Sequence, residues 1–494
     1  MVNESERVSH APVSPNVSVG NPTVAVTVED EGTVPVKEIP QGHFYRVIWR
    51  WHFYAGLLVI PIMVMLAVTG IIYLFKPQLD ALMYPQHVTP AGAFISLEQQ
   101  LERVTTAYPA ATISQIRPPA APDRSSEVSL ETAEGQNLTV FVNPYTGQVL
   151  GARDDDNNLQ EWAVTMHGSM MIGTTGDVLI ELAACWGLVL VLTGLYLWWP
   201  RRANAVLGTL IPRLQTKNKR IFWRDLHAVP GFWGAILIAF MIISGLPWAG
   251  FWGDTFAQVW NRYPSNMWDD VPTSEMPAAT LNEQVKTVPW AVEITPLPIS
   301  TLPHTGHDHG SGHEHEHEFE PIGVDAVAAF AAQQHAPPGY TISLPEGIEG
   351  VYTISAFPPD PRDQMTIHLD QYSGAVLADI RWKDYSIVPK AVEMGIALHQ
   401  GTFGGLVNQL VMLAVCLLII LLSVSGGIMW WLRRPKGRLG APAMPANFPL
   451  WRGAVLILLV LAVIFPLVGA SLLVALALDY LLVQRVPALQ RVLN

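Results

Sequence analysis

The 494-residue chain has few charges and almost no cysteine, and both shortages limit what it can be. Only 14% of its residues are charged and 50% are hydrophobic, a composition too apolar for an ordinary soluble protein of this size. Its two cysteines, Cys185 and Cys416, fall inside apolar runs, which argues against a disulfide framework or a cysteine-based metal site. No Walker motif, dinucleotide fingerprint or catalytic Ser/His/Asp pattern occurs, so we expect neither a fused nucleotide-binding domain nor a nucleic-acid partner.

Long apolar runs are what the chain does contain. A helix needs about 20 residues to cross a hydrocarbon core of roughly 30 Å. Four runs reach this length, near 53–75, 178–199, 229–250 and 406–432. A fifth stretch, 453–483, is interrupted by Pro466 and Gly469 and is interpreted as one kinked helix or a hairpin. The predicted fold class is therefore a membrane α-helical bundle of four core spans plus a C-terminal span or hairpin.

The charges are distributed unevenly between the loops. The short loops 201–226 and 433–452 are strongly basic and contain one acid, Asp225, whereas the long connections 76–176 and 251–400 are acidic. The positive-inside rule then places the short loops and the N-terminus in the cytoplasm and the long connections outside. The first 40 residues lack the apolar core of a signal peptide, and their composition predicts a disordered tail.

Comparison of the chain with itself reveals an internal duplication. His52 is followed by glycines 4 and 18 residues later, Gly56 and Gly70, and His227 is followed at the same offsets by Gly231 and Gly245. A second repeated pattern begins at a histidine that precedes a glycine by 27 residues and a Trp-Trp pair by 31. It occurs once at His167, with Gly194, and once at His399, with Gly426.

The outside segments repeat as well. Residues 141–150 match residues 368–377, and in both an alternating strand enters a Tyr-Thr/Ser-Gly turn and leaves as a second strand. An amphipathic helix is predicted upstream of each, at 97–107 and 324–334. Two small α+β domains are therefore expected outside the membrane. The predicted order is a disordered cytoplasmic tail (1–42), a span (43–76), an outside domain (77–160), a span (161–200), a cytoplasmic loop (201–226), a span (227–252), a second outside domain (253–390), a span (391–432), a cytoplasmic loop (433–452) and the C-terminal span or hairpin (453–484).

The four repeated histidines are candidate cofactor ligands. One histidine at a span end is an ordinary interfacial residue, but four at duplicated offsets favour ligation, because ionisable residues inside a membrane are usually functional. His52 and His227 are predicted at the cytoplasmic side, and His167 and His399 at the periplasmic side. Each pair could supply both axial ligands of a haem iron, so two haems are expected.

The repeated glycines fit the same hypothesis. Eighteen residues make five helical turns and about 27 Å of rise, so Gly70 and Gly245 share a face with their histidines and lie at the level of the opposite pair. Gly194 and Gly426 are predicted at the level of His52 and His227. Gly56 and Gly231, at the other repeated offset, are included with them as candidate cofactor-binding residues. The alternative is that small residues simply let membrane helices pack closely, which explains the glycines but not their pairing with histidines.

A histidine-rich insert, 304–318, is present only in the second outside segment. Imidazoles among carboxylates bind Zn²⁺, Cu²⁺ or Ni²⁺, and a flexible metal collector or a solvated linker are equally compatible with it. Its candidate metal ligands are His304, His307, His309, His313, His315 and His317.

Over roughly residues 43–484 the chain resembles the PepSY-associated transmembrane family, which includes iron-regulated inner-membrane proteins and ferric-siderophore reductases. The motifs that carry the resemblance are Trp-His-Phe-Tyr-Ala-Gly (51–56), Met-His-Gly (166–168), Leu-Tyr-Leu-Trp-Trp-Pro-Arg (195–201), Leu-His-Ala-Val-Pro-Gly (226–231), Leu-His-Gln-Gly (398–401) and the two Tyr-Thr/Ser-Gly turns. The resemblance implies periplasmic PepSY domains, b-type haem held by helix histidines, and electron transfer that releases iron from siderophores. The histidine-rich insert departs from the family pattern and leaves the substrate metal open.

The resulting hypothesis is an inner-membrane di-haem protein that reduces a periplasmic ferric siderophore or another metal complex. The electron donor could be a quinol, a cytoplasmic flavoprotein or a separate reductase. Two other functions fit the sequence less well. A periplasmic peptidase regulator has no use for paired membrane histidines. A metal-export accessory is disfavoured because the spans contain few charged residues that could line a polar path.

Overall fold

The computed structural model describes residues 43–200, 206–262, 290–292, 297–301, 320–436, 438–440, 452–478, 481 and 485–486. The predicted tail 1–42 and the insert 304–318, with its six candidate metal ligands, lie outside the described residues. The helices are α1 (His43–Leu74), α2 (Lys76–Met83), α3 (Leu97–Ala107), α4 (Leu159–Ser169), α5 (Thr174–Trp198), α6 (Lys219–Gly245), α7 (Gly250–Arg262), α8 (Val324–Gln333), α9 (Ile387–His399), α10 (Leu406–Arg433), α11 (Arg452–Ile464) and α12 (Pro466–Leu478). The strands are β1 (Thr112–Arg117), β2 (Ser126–Glu131), β3 (Asn137–Val142), β4 (Val149–Asp154), β5 (Thr341–Ser343), β6 (Val351–Ala356), β7 (Met365–Asp370) and β8 (Val376–Arg381).

Within the described residues, four helices are long and apolar enough to cross a membrane: α1, α5, α6 with the turn that follows it, and α10. They form a square, since α1 and α6 each pack against both α5 and α10 and lie diagonally opposite one another. The outward faces are apolar and exposed, as at Leu58 and Ile236, which is the surface expected to face lipid.

The helices begin earlier than the apolar runs predict. α1 starts at His43 and α6 at Lys219, about ten residues before the runs at 53 and 229. Their first turns contain basic and aromatic residues, which a hydropathy criterion leaves out although the helical hydrogen bonds continue through them.

Two predicted spans are instead divided into a short and a long helix. α4 is separated from α5 by Met170, Met171 and Gly173, which all have positive φ, and α9 is separated from α10 by a turn with Gly401, Gly404 and Gly405 at positive φ. A left-handed residue cannot continue an α-helix, so each break falls where the backbone reverses its hand. In both cases the short helix ends on or near a repeated histidine.

The C-terminal apolar stretch forms two short helices, α11 and α12, that fold back on each other as a hairpin. A Cβ on Gly469 would lie 2.6 Å from Ala462 Cβ, whereas seven residues of one continuous helix span about 10 Å. The bond from Phe465 N to Leu461 O ends α11, and the bond from Gly469 N to Phe465 O begins α12. Pro466 lacks an N–H and breaks the ladder at the junction of α11 and α12. The indole of Trp186 in α5 donates to Ser471 Oγ (3.1 Å), which holds α12 against the bundle.

The strands of residues 112–154 and 341–381 join in one sheet. The order is β4-β3-β2-β1-β5-β6-β7-β8, and the antiparallel pairing of β1 with β5 connects the halves. The sequence predicts two separate small domains, so this is a correction. Its physical reason is that β1 and β5 would otherwise both be edge strands with unpaired backbone groups.

One face of the sheet packs against α3 and α8. Val128, Val140, Ile354 and Ile367 are fully buried there, together with Val104 of α3. The two helices are also tied to each other, because the Asp325 carboxylate at the start of α8 accepts from Leu97 N at the start of α3 (2.7 Å). The apolar alternation of the strands therefore places a single core beneath both helices.

The opposite face of β7 contains a buried histidine, His368. It is 1% exposed, and its Nδ1 lies 2.9 Å from Thr353 Oγ1. Burial lowers the pKa of His368 from 6.5 to about 4. The folded-state pKa thus lies below the unfolded value, so the stability associated with neutral His368 is present above pH 6.5 and is lost as the pH falls towards 4.

We predict that His368 contributes to acid sensitivity, with a loss of up to about 3 kcal/mol in the free energy of unfolding between pH 6.5 and 4. The double variant His368→Phe/Thr353→Val, which introduces the residue found at the matching position 141, should remove this component. Urea unfolding of the full chain in detergent at pH 7 and pH 5 measures it, with His87→Phe as the exposed control. An unchanged difference between the two pH values in the double variant would rule His368 out.

Candidate functional site

Two of the repeated histidines meet across the diagonal of the helical square. His52 of α1 and His227 of α6 have ring centroids 6.4 Å apart and ring planes at 88°. Both lie near what we term the basic end of the bundle, where α5 ends and α6 begins; the other end, which joins the sheet, is the sheet end. We call these two histidines the first pair.

The separation of the first pair suits one metal between two imidazoles. A metal–imidazole bond is about 2 Å long, and a ring centre lies about 1 Å from each of its nitrogens. Two imidazoles on opposite sides of one metal therefore have centroids about 6 Å apart, close to the 6.4 Å observed. The residues present fit a group with two axial imidazole ligands.

The remaining two histidines form the second pair, at the sheet end. His167 lies in the last turn of α4, and His399 is the last residue of α9. α4 packs against α1 and α9 packs against α6, so the second pair approaches the same diagonal helices as the first. The two imidazoles are close enough to interact electrostatically.

A glycine faces each of these four imidazoles. A Cβ added at Gly194, Gly426, Gly70 or Gly245 would lie 3.3–3.6 Å from the nearest ring atom, which is Cε1 of His52, His227, His167 and His399 respectively. The absent side chain thus lets the imidazole approach the helix backbone. Gly56 and Gly231 behave differently. They face Leu190 and Leu422, not histidines, so each lies at a contact between two helices.

The residue before each of these glycines is a hydroxyl residue that contacts the same imidazole. The Nδ1–Oγ distances are 2.8 Å for His52 with Thr193, 2.9 Å for His167 with Thr69, 2.9 Å for His399 with Ser244 and 3.1 Å for His227 with Ser425. Each hydroxyl also lies 2.6–2.9 Å from the carbonyl oxygen four residues earlier on its own helix. The arrangement is therefore the same at all four positions.

These contacts fix the tautomer of the imidazoles. A carbonyl only accepts, so the hydroxyl proton is donated to the backbone and the hydroxyl oxygen accepts from Nδ1–H. For His227 the Leu422 carbonyl also accepts from Nδ1–H, at 3.0 Å. Nε2 is then left with a free lone pair, and a histidine that ligates a metal usually donates its other N–H in this way.

Sequence reasoning placed the histidines and glycines but missed the four hydroxyls, Thr69, Thr193, Ser244 and Ser425. The signal was available, because a Thr or Ser precedes the glycine in every copy of the repeat. A hydroxyl in an apolar helix commonly bonds back to its own backbone, so this spacing by itself does not reveal a second acceptor role.

The donor set limits the type of metal group. Among the described residues, no cluster of three or more His, Cys, Asp or Glu side chains is placed to hold a metal ion. Each pair offers two nitrogens, which suits a metal whose other ligands come from a cofactor. Cys416 approaches the second pair, with its Sγ 3.8 Å from the position of a Cβ on Gly70, but the two cysteines are buried and free.

The sequence that forms this helical bundle matches a known family. The family model for the PepSY-associated TM region matches residues 49–433. The chain belongs to this family. The match includes all four histidines and confirms the resemblance, and with the four apolar helices it makes this PepSY-associated protein a multi-pass membrane protein. No curated protein is similar enough to the chain to count as a match.

We predict that Thr193 fixes the tautomer of His52. Thr193→Val keeps the shape but removes the acceptor, at a cost of about 1 kcal/mol or roughly a fivefold change in the tautomer ratio. Nitrogen-15 NMR of histidine-labelled, cofactor-free protein measures the ratio. Thr193→Ser should restore it, and Thr165→Val, whose hydroxyl contacts only Glu161, is the control. If Thr193→Val resembles that control, the hydroxyl does not set the tautomer.

Proposed function

We propose that this PepSY-associated protein is a di-haem electron-transfer protein of the bacterial inner membrane that reduces a ferric complex, most plainly a ferric siderophore, in the periplasm. The observation that carries the proposal is the fourfold set of imidazoles whose Nδ1 is bonded to a hydroxyl and whose Nε2 is free. A peptidase regulator or an export accessory would have no need of this arrangement.

His52 and His227 would hold one haem b, and His167 and His399 the other. When bound, haem iron would supply reversible one-electron chemistry. The chain's own residues do the rest. The hydroxyls orient the imidazoles, the glycines clear space on the neighbouring helices, and buried apolar side chains such as Val59, Ile238 and Val415 exclude water.

The charge distribution supports a direction of electron flow. With the basic end in the cytoplasm, a quinol or flavoprotein would deliver electrons towards the first pair, and the second pair lies on the way to the sheet. The substrate Fe³⁺ gains one electron and becomes Fe²⁺. Hard oxygen donors bind Fe²⁺ less tightly, so the siderophore would release it.

The histidine-rich segment 304–318 has a separate proposed role as a collector of Zn²⁺, Cu²⁺ or Ni²⁺. It is outside the described residues, and nothing in the haem proposal depends on it. Other periplasmic metal complexes therefore remain candidate substrates beside ferric siderophores.

We predict two low-spin haems per purified chain, divided between the two pairs. His52→Ala and His227→Ala should each remove one and the same spectral component, and His167→Ala and His399→Ala the other, because a methyl group cannot ligate iron. Reduced-minus-oxidised absorption spectra and haem quantification measure this, with the exposed His87→Ala as the control. A colourless preparation from haem-replete cells would refute the proposal and favour the export-accessory alternative.

A second prediction separates the two levels within one helix. Gly70→Leu should disturb the component tied to His167, since its side chain would enter the space of that imidazole, whereas Gly70→Ala adds only an ordinary contact at 3.6 Å. Gly56→Leu is the matched control on the same helix, facing Leu190. Potentiometric titration followed by absorbance measures both components. The two-level arrangement is wrong if Gly70→Leu alters only the component tied to His52.

A further inference from the structure

The two loops at the basic end of the bundle have a large excess of positive charge. These loops, 201–226 and 433–452, contain a single carboxylate, Asp225, which is fully buried. Arg213 donates to it through Nε (2.6 Å) and a terminal nitrogen (3.0 Å), and Arg224 donates at 2.7 Å. Asp225 is thus fully engaged and neutralises no other arginine of this end.

Arg433, at the end of α10, lies among aromatic rings. Its guanidinium carbon is 4.5 Å from the centroid of Trp49 and 5.4 Å from that of Phe53, both on α1. Its hydrogen bond runs to the Gly440 carbonyl (3.3 Å). The described salt bridges of this end involve only Arg213 and Arg224, so no carboxylate of the described residues pairs with Arg433.

Arg220 lies next to Arg433. Its terminal nitrogen donates to the Leu432 carbonyl at 3.4 Å, and the two guanidinium groups are close enough to repel each other. Arg220 is exposed and Arg433 is half-buried, so their combined charge would attract an anion to this place. The parts of these two loops outside the described residues, 201–205, 437 and 441–451, contain no Asp or Glu that could supply it.

The position of these arginines relates them to the first pair. Trp49 and Phe53 lie on either side of His52 in α1, and Arg433 follows Gly426, the residue that faces His227, by seven residues or about 10 Å of helix. The two guanidinium groups therefore lie beyond the first pair, at the basic end of the bundle.

We propose that Arg220 and Arg433 form an oxyanion-binding site, for carboxylate or phosphate, and that its occupant is the carboxylate edge of the porphyrin held by His52 and His227. The planar fork of a guanidinium pairs with carboxylate and phosphate through two N–H groups. The aromatic rings hold Arg433 in place, so little side-chain freedom remains to be lost on binding. The assignment of the occupant rests on the proposed function, whereas the oxyanion site itself does not.

Redox titration of the full-length protein in lipid nanodiscs tests the proposal, with Arg433→Gln, Arg220→Gln and Arg433→Lys as variants. Loss of a nearby cation disfavours the reduced haem, so both Gln variants should lower the midpoint potential of the component tied to His52 alone. They should also weaken retention of that haem by roughly tenfold, which corresponds to about 1.4 kcal/mol. Arg433→Lys keeps the charge but loses the fork, and should retain most of the potential while releasing haem faster.

Arg434→Gln is the matched control, because this neighbouring guanidinium stacks on Trp431 at 3.5 Å. An equal effect of Arg434→Gln would overturn the proposal in favour of a general surface charge. Native mass spectrometry with phosphatidylglycerol or neutral lipid distinguishes the sources of oxyanion. One result would overturn the porphyrin assignment: Arg433→Gln loses retention of phosphatidylglycerol while its midpoint potentials stay unchanged. The occupant of the site would then be a headgroup phosphate. If the protein carries no haem at all, the proposed function fails, and the lipid experiment alone decides: unaltered lipid retention in Arg433→Gln then overturns the site as well.

Discussion

An imidazole inside an apolar helical bundle must satisfy its N–H, and this requirement organises the centre of the molecule. All four repeated histidines meet it in the same way, by donating Nδ1–H to a Thr or Ser hydroxyl on a neighbouring helix. Because a side-chain hydroxyl is short, that helix must come close, and the glycine that follows the hydroxyl permits the approach. One hydrogen bond thus determines which helices pack, which residues are small and which nitrogen stays free.

Much of this geometry follows from the lengths of the apolar runs and the spacing of residues along a helix, and could be predicted from the sequence. The apolar runs predict the four long helices because a helix in lipid satisfies its backbone internally. Eighteen residues are five turns in any straight α-helix, so the placement of Gly70 near the level of His167 needs no tertiary information. The turns at 143–147 and 370–374 are likewise encoded locally by the residues that form them.

The features that the sequence did not predict depend on contacts between distant segments. The pairing of β1 with β5 joins two segments more than 200 residues apart. The alternating pattern of a strand indicates which face is buried but not which other strand it pairs with. The diagonal arrangement of α1 and α6 has the same character. The stacking of Arg433 on Trp49 depends on side-chain directions at two helix ends. The positive-inside rule already accounts for an arginine-rich loop, so the sequence by itself does not indicate a binding role for these arginines.

The two histidine pairs lie on different kinds of helix, and this difference is relevant to the proposed direction of electron transfer. His52 and His227 lie within long helices, whereas His167 and His399 end short helices that follow the last strand of each half of the sheet. Asn158 caps α4 directly after β4, and the buried Glu393 of α9 accepts from Ala291 N and from Gln364 beside β7. The second pair is therefore linked to the sheet by hydrogen-bonded connections, whereas the first pair lies at the other end of the bundle. This asymmetry agrees with the proposed function, in which electrons enter at the basic end and the substrate binds near the sheet.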